Sequence, residues 1–166
     1  MLDKRKFYIN GKWVSPSKPN DLEVINPSNE DPYAVISLGS KEDVDKSVQA
    51  AKVAFESWKK TSKEERLNLL EKLLQIFKKR FEDMSKAISD EMGAPMDWAS
   101  DVQTGSGQAH LEDFILRLKA FNFEEHFDAK SNNHICYEPI GICGLITPWN
   151  WPINQIVLKV VPALAT

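Results

Sequence analysis

The chain has 166 residues, 42% hydrophobic and 27% charged, a globular mix long enough for one domain with its own core and unlike a disordered or fibrous segment. A formal charge of -3 leaves no basic field for nucleic acid or an anionic membrane surface. The charged start Met1-Leu2-Asp3-Lys4-Arg5-Lys6 has no apolar run behind it, and no segment approaches the ~20 apolar residues of a membrane span, so the sequence reads as cytoplasmic.

Tyr8-Ile9-Asn10-Gly11-Lys12-Trp13-Val14 sets Asn-Gly between β-prone pairs. A type I′ turn needs positive φ at both central residues, which Asn and Gly tolerate, so a β-hairpin is expected. A Ser/Pro/Asn-rich stretch from Ser15 to Asp21 then leads to a short strand at Leu22-Glu23-Val24-Ile25, stopped by Asn26-Pro27, and to another near Tyr33 to Leu38.

At Ser40 the apolar period changes from two to that of a helix. Val44, Val48, Ala51, Phe55 and Trp58 form one stripe, opened by a Ser40/Asp43 pairing of capping-box type. A second box, Ser62 with Glu65, opens a helix with the stripe Leu67, Leu70, Leu74, Phe77 and Phe81. A further helical segment ends at Met92, with Gly93 and Pro95 as stop signals. A fourth pattern carries Trp98, Val102, Leu111, Phe114, Ile115, Leu118 and Phe121. Within it Gly105-Ser106-Gly107 holds the first two glycines of a GxGxxG motif, but Ala109 and His110 follow and no strand precedes, so helix packing is the expected role.

Beyond a polar stretch, Ile135-Cys136-Tyr137-Glu138-Pro139 leads into Ile140 to Ile146, short and β-rich enough for a buried strand. Thr147-Pro148-Trp149-Asn150 breaks it, and a helical stripe of Ile153, Ile156, Val157, Val160 and Leu164 follows from Pro152. The last third thus reads strand, loop, helix, the opening of a parallel α/β unit. Its second strand is expected beyond Thr166. Cys136 and Cys143 are too few for a disulfide framework, lack zinc-ligand spacing, and are expected as small buried hydrophobes. His110, His126 and His134 are scattered without a ligand or triad pattern.

Ligands of open α/β sheets bind at the carboxyl ends of strands, which places the loop from Thr147 to Asn150 where a cofactor or substrate would be held. Asn150 has two readings there. Its amide is a donor suited to charge developing on a carbonyl oxygen, and its position before Trp151-Pro152 is equally that of a helix cap.

Four stretches resemble, in order and spacing, signatures of the aldehyde dehydrogenase superfamily: Tyr8 to Trp13, Val24 to Pro27, Glu91 to Pro95, and Glu138 through Asn150 followed by Pro162-Ala163-Leu164-Ala165. The resemblance covers nearly the whole chain and implies an α/β fold in which a β-hairpin and helices lead into a Rossmann-like parallel sheet. Its divisions would be an N-terminal part of the NAD(P)-binding domain over 1–121, an oligomerisation arm over 122–139, and the first strand-loop-helix of the cofactor-binding unit over 140–166. It implies the N-terminal portion of the enzyme, ending before the nucleophilic cysteine in its Gly-Gln-x-Cys context, a position that neither Cys136 nor Cys143 fits.

By the same resemblance, Asn150 shares the oxyanion hole with that cysteine's backbone N–H, and Lys159 relays protons beside a downstream glutamate. A lysine snorkelling from an apolar helix would look the same. Ile146, Thr147, Pro148 and Trp149 lie along the cofactor, NAD as the commoner usage with NADP not excluded. Trp151, Gln155 and Leu158 line a substrate tunnel for an aliphatic or ω-oxo-acid aldehyde. Val24, Ile25 and Glu91 match a site for K+ or Na+, with Glu91 where Asp is frequent. The expected assembly is a homodimer or homotetramer. Two other classes share these features: a CoA-acylating aldehyde dehydrogenase, and a non-catalytic truncated oligomerisation module.

Overall fold

A computed structural model describes residues 1–128 and 132–166. It opens with β1 (Leu2–Asp3), a two-residue strand too short to carry a period in the sequence. β1 pairs in parallel with β5 (Pro32–Ser37), which pairs antiparallel with β4 (Asp21–Ile25), giving the order β1-β5-β4. The Asn-Gly signal forms its hairpin. Asn10 and Gly11 take φ of 52° and 73° and join β2 (Phe7–Ile9) to β3 (Lys12–Val14) in antiparallel register.

Both capping boxes form. In α1 (Lys41–Trp58) the buried Asp43 carboxylate accepts from the Ser40 N–H and hydroxyl at 2.9 and 2.7 Å. Its other oxygen accepts from the Ser17 N–H and hydroxyl, both at 2.8 Å, which ties the Ser/Pro-rich stretch to the helix start. The Ser40 hydroxyl and amide, with the Ser17 amide behind them, hold this carboxyl far below the ordinary aspartate range. A depressed folded pKa contributes stability above the unfolded pKa and loses it as pH falls through the folded value. Asp43→Asn should therefore lower the thermal midpoint at pH 7, with the gap to the parent closing below about pH 4, as followed by circular dichroism. A gap independent of pH would assign the loss to packing.

α2 (Lys63–Lys79), capped by Ser62 and Glu65, ends two residues before the expected stripe does. Arg80 leaves helical geometry at φ -108° and ψ 17°, so Phe81 opens α3 (Phe81–Met92) and belongs to a new axis. Gly93 stops α3 at φ 71°, where a Cβ would stand 2.8 Å from the Pro27 ring. The fourth pattern divides into a π-helical stretch, Trp98–Thr104, and α4 (Gly105–Ala120). A template of 3.6 residues per turn does not reveal that wider turn.

The core lies among the helices. It joins Leu70 of α2, Ile88 of α3, Ala99, three residues of α4 (Leu111, Ile115 and Leu118), and Ile153, Val157, Val161 and Ala165 of α5 (Pro152–Ala165). Gly107 serves packing: a Cβ there would meet Ile153 Cγ1 at 3.0 Å and Phe77 Cζ at 3.3 Å, so the glycine sets how closely α5 approaches. Cations on α2 seat the ends of two helices. Lys63 Nζ donates to the Lys119 and Phe121 carbonyls at 3.1 and 3.0 Å, and buried Arg66 donates to the Ala165 and Thr166 carbonyls at 3.3 and 2.7 Å.

Several expectations are corrected. Residues 140–146 form no strand, and Ile140 and Ile146 are 94% and 87% exposed. A strand exists only as a member of a sheet, and among the described residues this segment has no ladder partner. Cys143, inside it, is consequently exposed. Cys136 is exposed too, because it lies on a two-stranded ribbon of β6 (Glu124–His126) and β7 (His134–Cys136), standing clear of the helices. Val44 and Val48 of the α1 stripe stay exposed. The buried stripe of α5 runs Ile153, Val157, Val161, Ala165, while Ile156 is exposed and Val160 and Leu164 are half-buried. Val160 and Leu164, with Ala51 and Phe55 of α1, line a groove against Ile142 and Leu145 of the unpaired segment, away from the helical core. A helix apolar on two sides in this way serves two neighbours. Among the described residues, no helix is long and apolar enough to cross a membrane.

Candidate functional site

The loop 146–150 lies on the surface, with Trp149 79% exposed. The N-cap of α5 is Trp151, at φ -149° and ψ 68°, with Pro152 beginning the helix and no side-chain cap bond. Asn150 therefore stands one residue outside the capping position. Its carboxamide is exposed and bonded to nothing among the described residues. The sequence left a cap and a donor open, and the geometry removes the cap.

Gln155, Leu158 and Lys159 share one face of α5, with Trp151 at its N-cap. At 100° per residue the three fall within about 100° of arc, adjoining the buried stripe at one edge. Lys159 is half-buried, and its Nζ donates to Gln155 Oε1 at 3.0 Å; no carboxylate pairs with it among the described residues. Its ammonium is held along the helix, on the face that leads back to Asn150.

Trp98, on the π-helical stretch, is an addition that the sequence reading missed. Its ring meets the Trp151 ring edge-on, centroids 6.4 Å apart and planes at 69°. No periodic signal links residues so distant in sequence. The π-helical turn is the one local clue, and such turns cluster at functional sites.

The three cation-site residues come into one neighbourhood by separate routes. The β4/β5 register shifts between Val24 and Ile25, a break of the kind that leaves backbone groups outside the ladder. The close approach of Gly93 to Pro27 brings the end of α3 against the turn that follows. Glu91 is exposed on one side, yet burial on the other and then the neighbouring Asp90 carboxylate raise its pKa, opposed by Lys4. The same carboxylates, after burial, raise Tyr33 on β5. Among the described residues no three His, Cys, Asp or Glu side chains are grouped to hold a metal ion.

A family model described as the aldehyde dehydrogenase family matches residues 13–166. This chain belongs to the aldehyde dehydrogenase family. It is 46% identical over 166 residues to a 3-succinoylsemialdehyde-pyridine dehydrogenase of a Pseudomonas species, covering 99% of this chain and 34% of that protein. Among solved structures it superposes on an aldehyde dehydrogenase from Bartonella henselae with a TM-score of 0.97 at 55% identity, covering 99% of this chain and 35% of that one. It also matches aldehyde dehydrogenase C from Pseudomonas syringae, a cysteine-to-alanine mutant complexed with NAD+ and octanal. There the TM-score is 0.92 at 39% identity, over 97% of this chain and 33% of that one. The chain thus spans about a third of the length of the dehydrogenases it matches. Its mixed helix and strand architecture is that of the corresponding part of their fold, which bears out the expected fold class.

Proposed function

We propose that these residues form the N-terminal part of an NAD-dependent aldehyde dehydrogenase, which oxidises an aldehyde to a carboxylate through a thiohemiacetal on a cysteine outside this chain. The observation that carries the reading is the unengaged Asn150 carboxamide, set beyond the α5 cap where nothing among the described residues employs it. Asn150 donates to the carbonyl oxygen as it gains charge. Along the same helix face Trp151 and Leu158 supply apolar wall, Gln155 fixes the Lys159 ammonium, and Lys159 moves a proton toward or away from the water that releases the acid. Trp98 buttresses the Trp151 ring.

The loop Ile146, Thr147, Pro148 and Trp149 fits a cofactor bed because its apolar members are exposed and gain from being covered. NAD+ bound there would accept hydride from the substrate carbon. The NAD+ in the P. syringae relative supports NAD as the cofactor, and its octanal supports an aliphatic aldehyde as substrate. Val24, Ile25 and Glu91 would hold K+ or Na+, which would steady the turn between β4 and β5. The ribbon within 122–139 would be the arm through which subunits pair as a dimer or tetramer, since a two-stranded ribbon leaves both edges open. Residues 129–131 of that arm lie outside the described residues.

NADH formation with straight-chain aldehydes tests the proposal. The full-length enzyme should turn over, whereas the 166-residue chain should not, because neither Cys136 nor Cys143 occupies the position of the nucleophile. Turnover by the short chain that Cys136→Ser or Cys143→Ser abolishes would overturn the mechanism.

A further inference from the structure

Two of the three histidines scattered in the sequence are brought together by the β6–β7 ribbon. Its register places His126 opposite His134 and Glu124 opposite Cys136. The backbone bonds from Phe127 N–H to Asn133 C=O and from Tyr137 N–H to Phe123 C=O, both 2.9 Å, put the hydrogen-bonded pairs at odd positions. His126 and His134 are therefore a non-hydrogen-bonded pair, the kind whose side chains stand closest. By alternation Glu124, His126, His134 and Cys136 share one face, while on the other the Tyr137 hydroxyl donates to Glu125 at 3.1 Å.

The two imidazole centroids lie 4.4 Å apart at 45°. His134 Nδ1 is 2.9 Å from Glu124 Oε1, which assigns the proton to Nδ1 and leaves the Nε2 lone pair outward. A carboxylate behind a histidine in this way is how metal-bound imidazoles are oriented and made more basic. Both rings are exposed and open to an ion from solvent. Two nitrogens each bonded at about 2.0 to 2.1 Å to one tetrahedral zinc lie about 3.3 Å apart, a separation that small side-chain rotations reach from this pair.

We propose that this face of the ribbon chelates one divalent transition-metal ion through His126 and His134. Zn2+, Cu2+ and Ni2+ suit imidazole donors, whereas Mg2+ and Ca2+ prefer oxygen. Because no three His, Cys, Asp or Glu side chains are grouped to hold a metal among the described residues, water completes the shell. Glu124 is a positioning residue that acts through His134. The bound ion would pin the register of the ribbon. The proposal does not depend on the dehydrogenase site, and it concerns the ribbon as it stands in this chain, with both rings exposed.

The test titrates ZnCl2 into the untagged 166-residue chain by calorimetry and records the electron paramagnetic resonance of the same chain loaded with Cu2+. One Zn2+ should bind per chain. His126→Ala and His134→Ala should each abolish binding, and Glu124→Gln should weaken it about tenfold or more. His110→Ala and Cys136→Ser should leave it unchanged. Because an alanine variant could loosen the ribbon, the Cu2+ spectrum of the unmodified chain is the independent arm, with coupling to two nitrogens expected. Absence of binding, binding that survives the histidine changes, loss with Cys136→Ser, or a spectrum with fewer than two nitrogens would each overturn the proposal.

Discussion

In the full-length enzyme Asn150→Ala is expected to lower kcat by about 10²- to 10³-fold, about 3 to 4 kcal/mol of transition-state stabilisation, with little change in KM. The amide matters only once the carbonyl oxygen carries charge, so its loss falls on the chemical step rather than on substrate binding. Stability should hardly move. Asn150 is exposed, so truncation opens no cavity, and Trp151 rather than Asn150 occupies the α5 cap, so no capping bond is lost. A variant that melts several degrees earlier while keeping its kcat would return the residue to a structural role.

Leu111→Ala should destabilise the 166-residue chain by about 2 to 5 kcal/mol in urea unfolding. Leu111 is fully buried on α4, in the cluster with Leu70 of α2 and Val157 and Val161 of α5. That seam holds α5, and with it the proposed catalytic face, against the rest of the molecule. Interdigitated helices cannot collapse around a missing isobutyl group without moving one another, so much of the cavity persists. Val44→Ala is the contrast. It lies in an equally regular apolar stripe, yet at 58% exposure it should cost no more than about 0.5 kcal/mol. Equal losses at the two positions would contradict this placement of the core.

The contrast between Leu111 and Val44 marks where sequence reading succeeds and where it stops. Signals generated within a few residues were legible. Asn10-Gly11 specifies its own turn, Ser40/Asp43 and Ser62/Glu65 specify their own caps, and Gly93 ends its own helix. Periodicity found the helical segments but not what each stripe faces, since Val44, Ile156 and Leu111 carry the same apolar signal and only packing separates them. The segment 140–146 fails for a related reason: its composition is that of a strand, but ladder bonds come from a neighbour.

At the candidate site, Trp151, Gln155, Leu158 and Lys159 were readable through the family resemblance, and the helix then sets Gln155, Leu158 and Lys159 on one face. The contact of Trp98 with Trp151 and the pairing of His126 with His134 were not, because each joins two segments through tertiary geometry. The cap at Trp151 turned on a single residue of helix boundary. Spacing alone does not fix such a boundary.

The most direct test of the account is kcat and thermal midpoint measured side by side for Asn150→Asp in the full-length enzyme. Aspartate caps a helix as well as asparagine does and has nearly its shape, but when ionised it only accepts hydrogen bonds and would set a negative charge where the oxyanion forms. The account predicts a kcat at least as low as that of Asn150→Ala, with the midpoint within a degree or two of the parent, a shift of less than about 0.5 kcal/mol. A near-normal kcat in Asn150→Asp would contradict it.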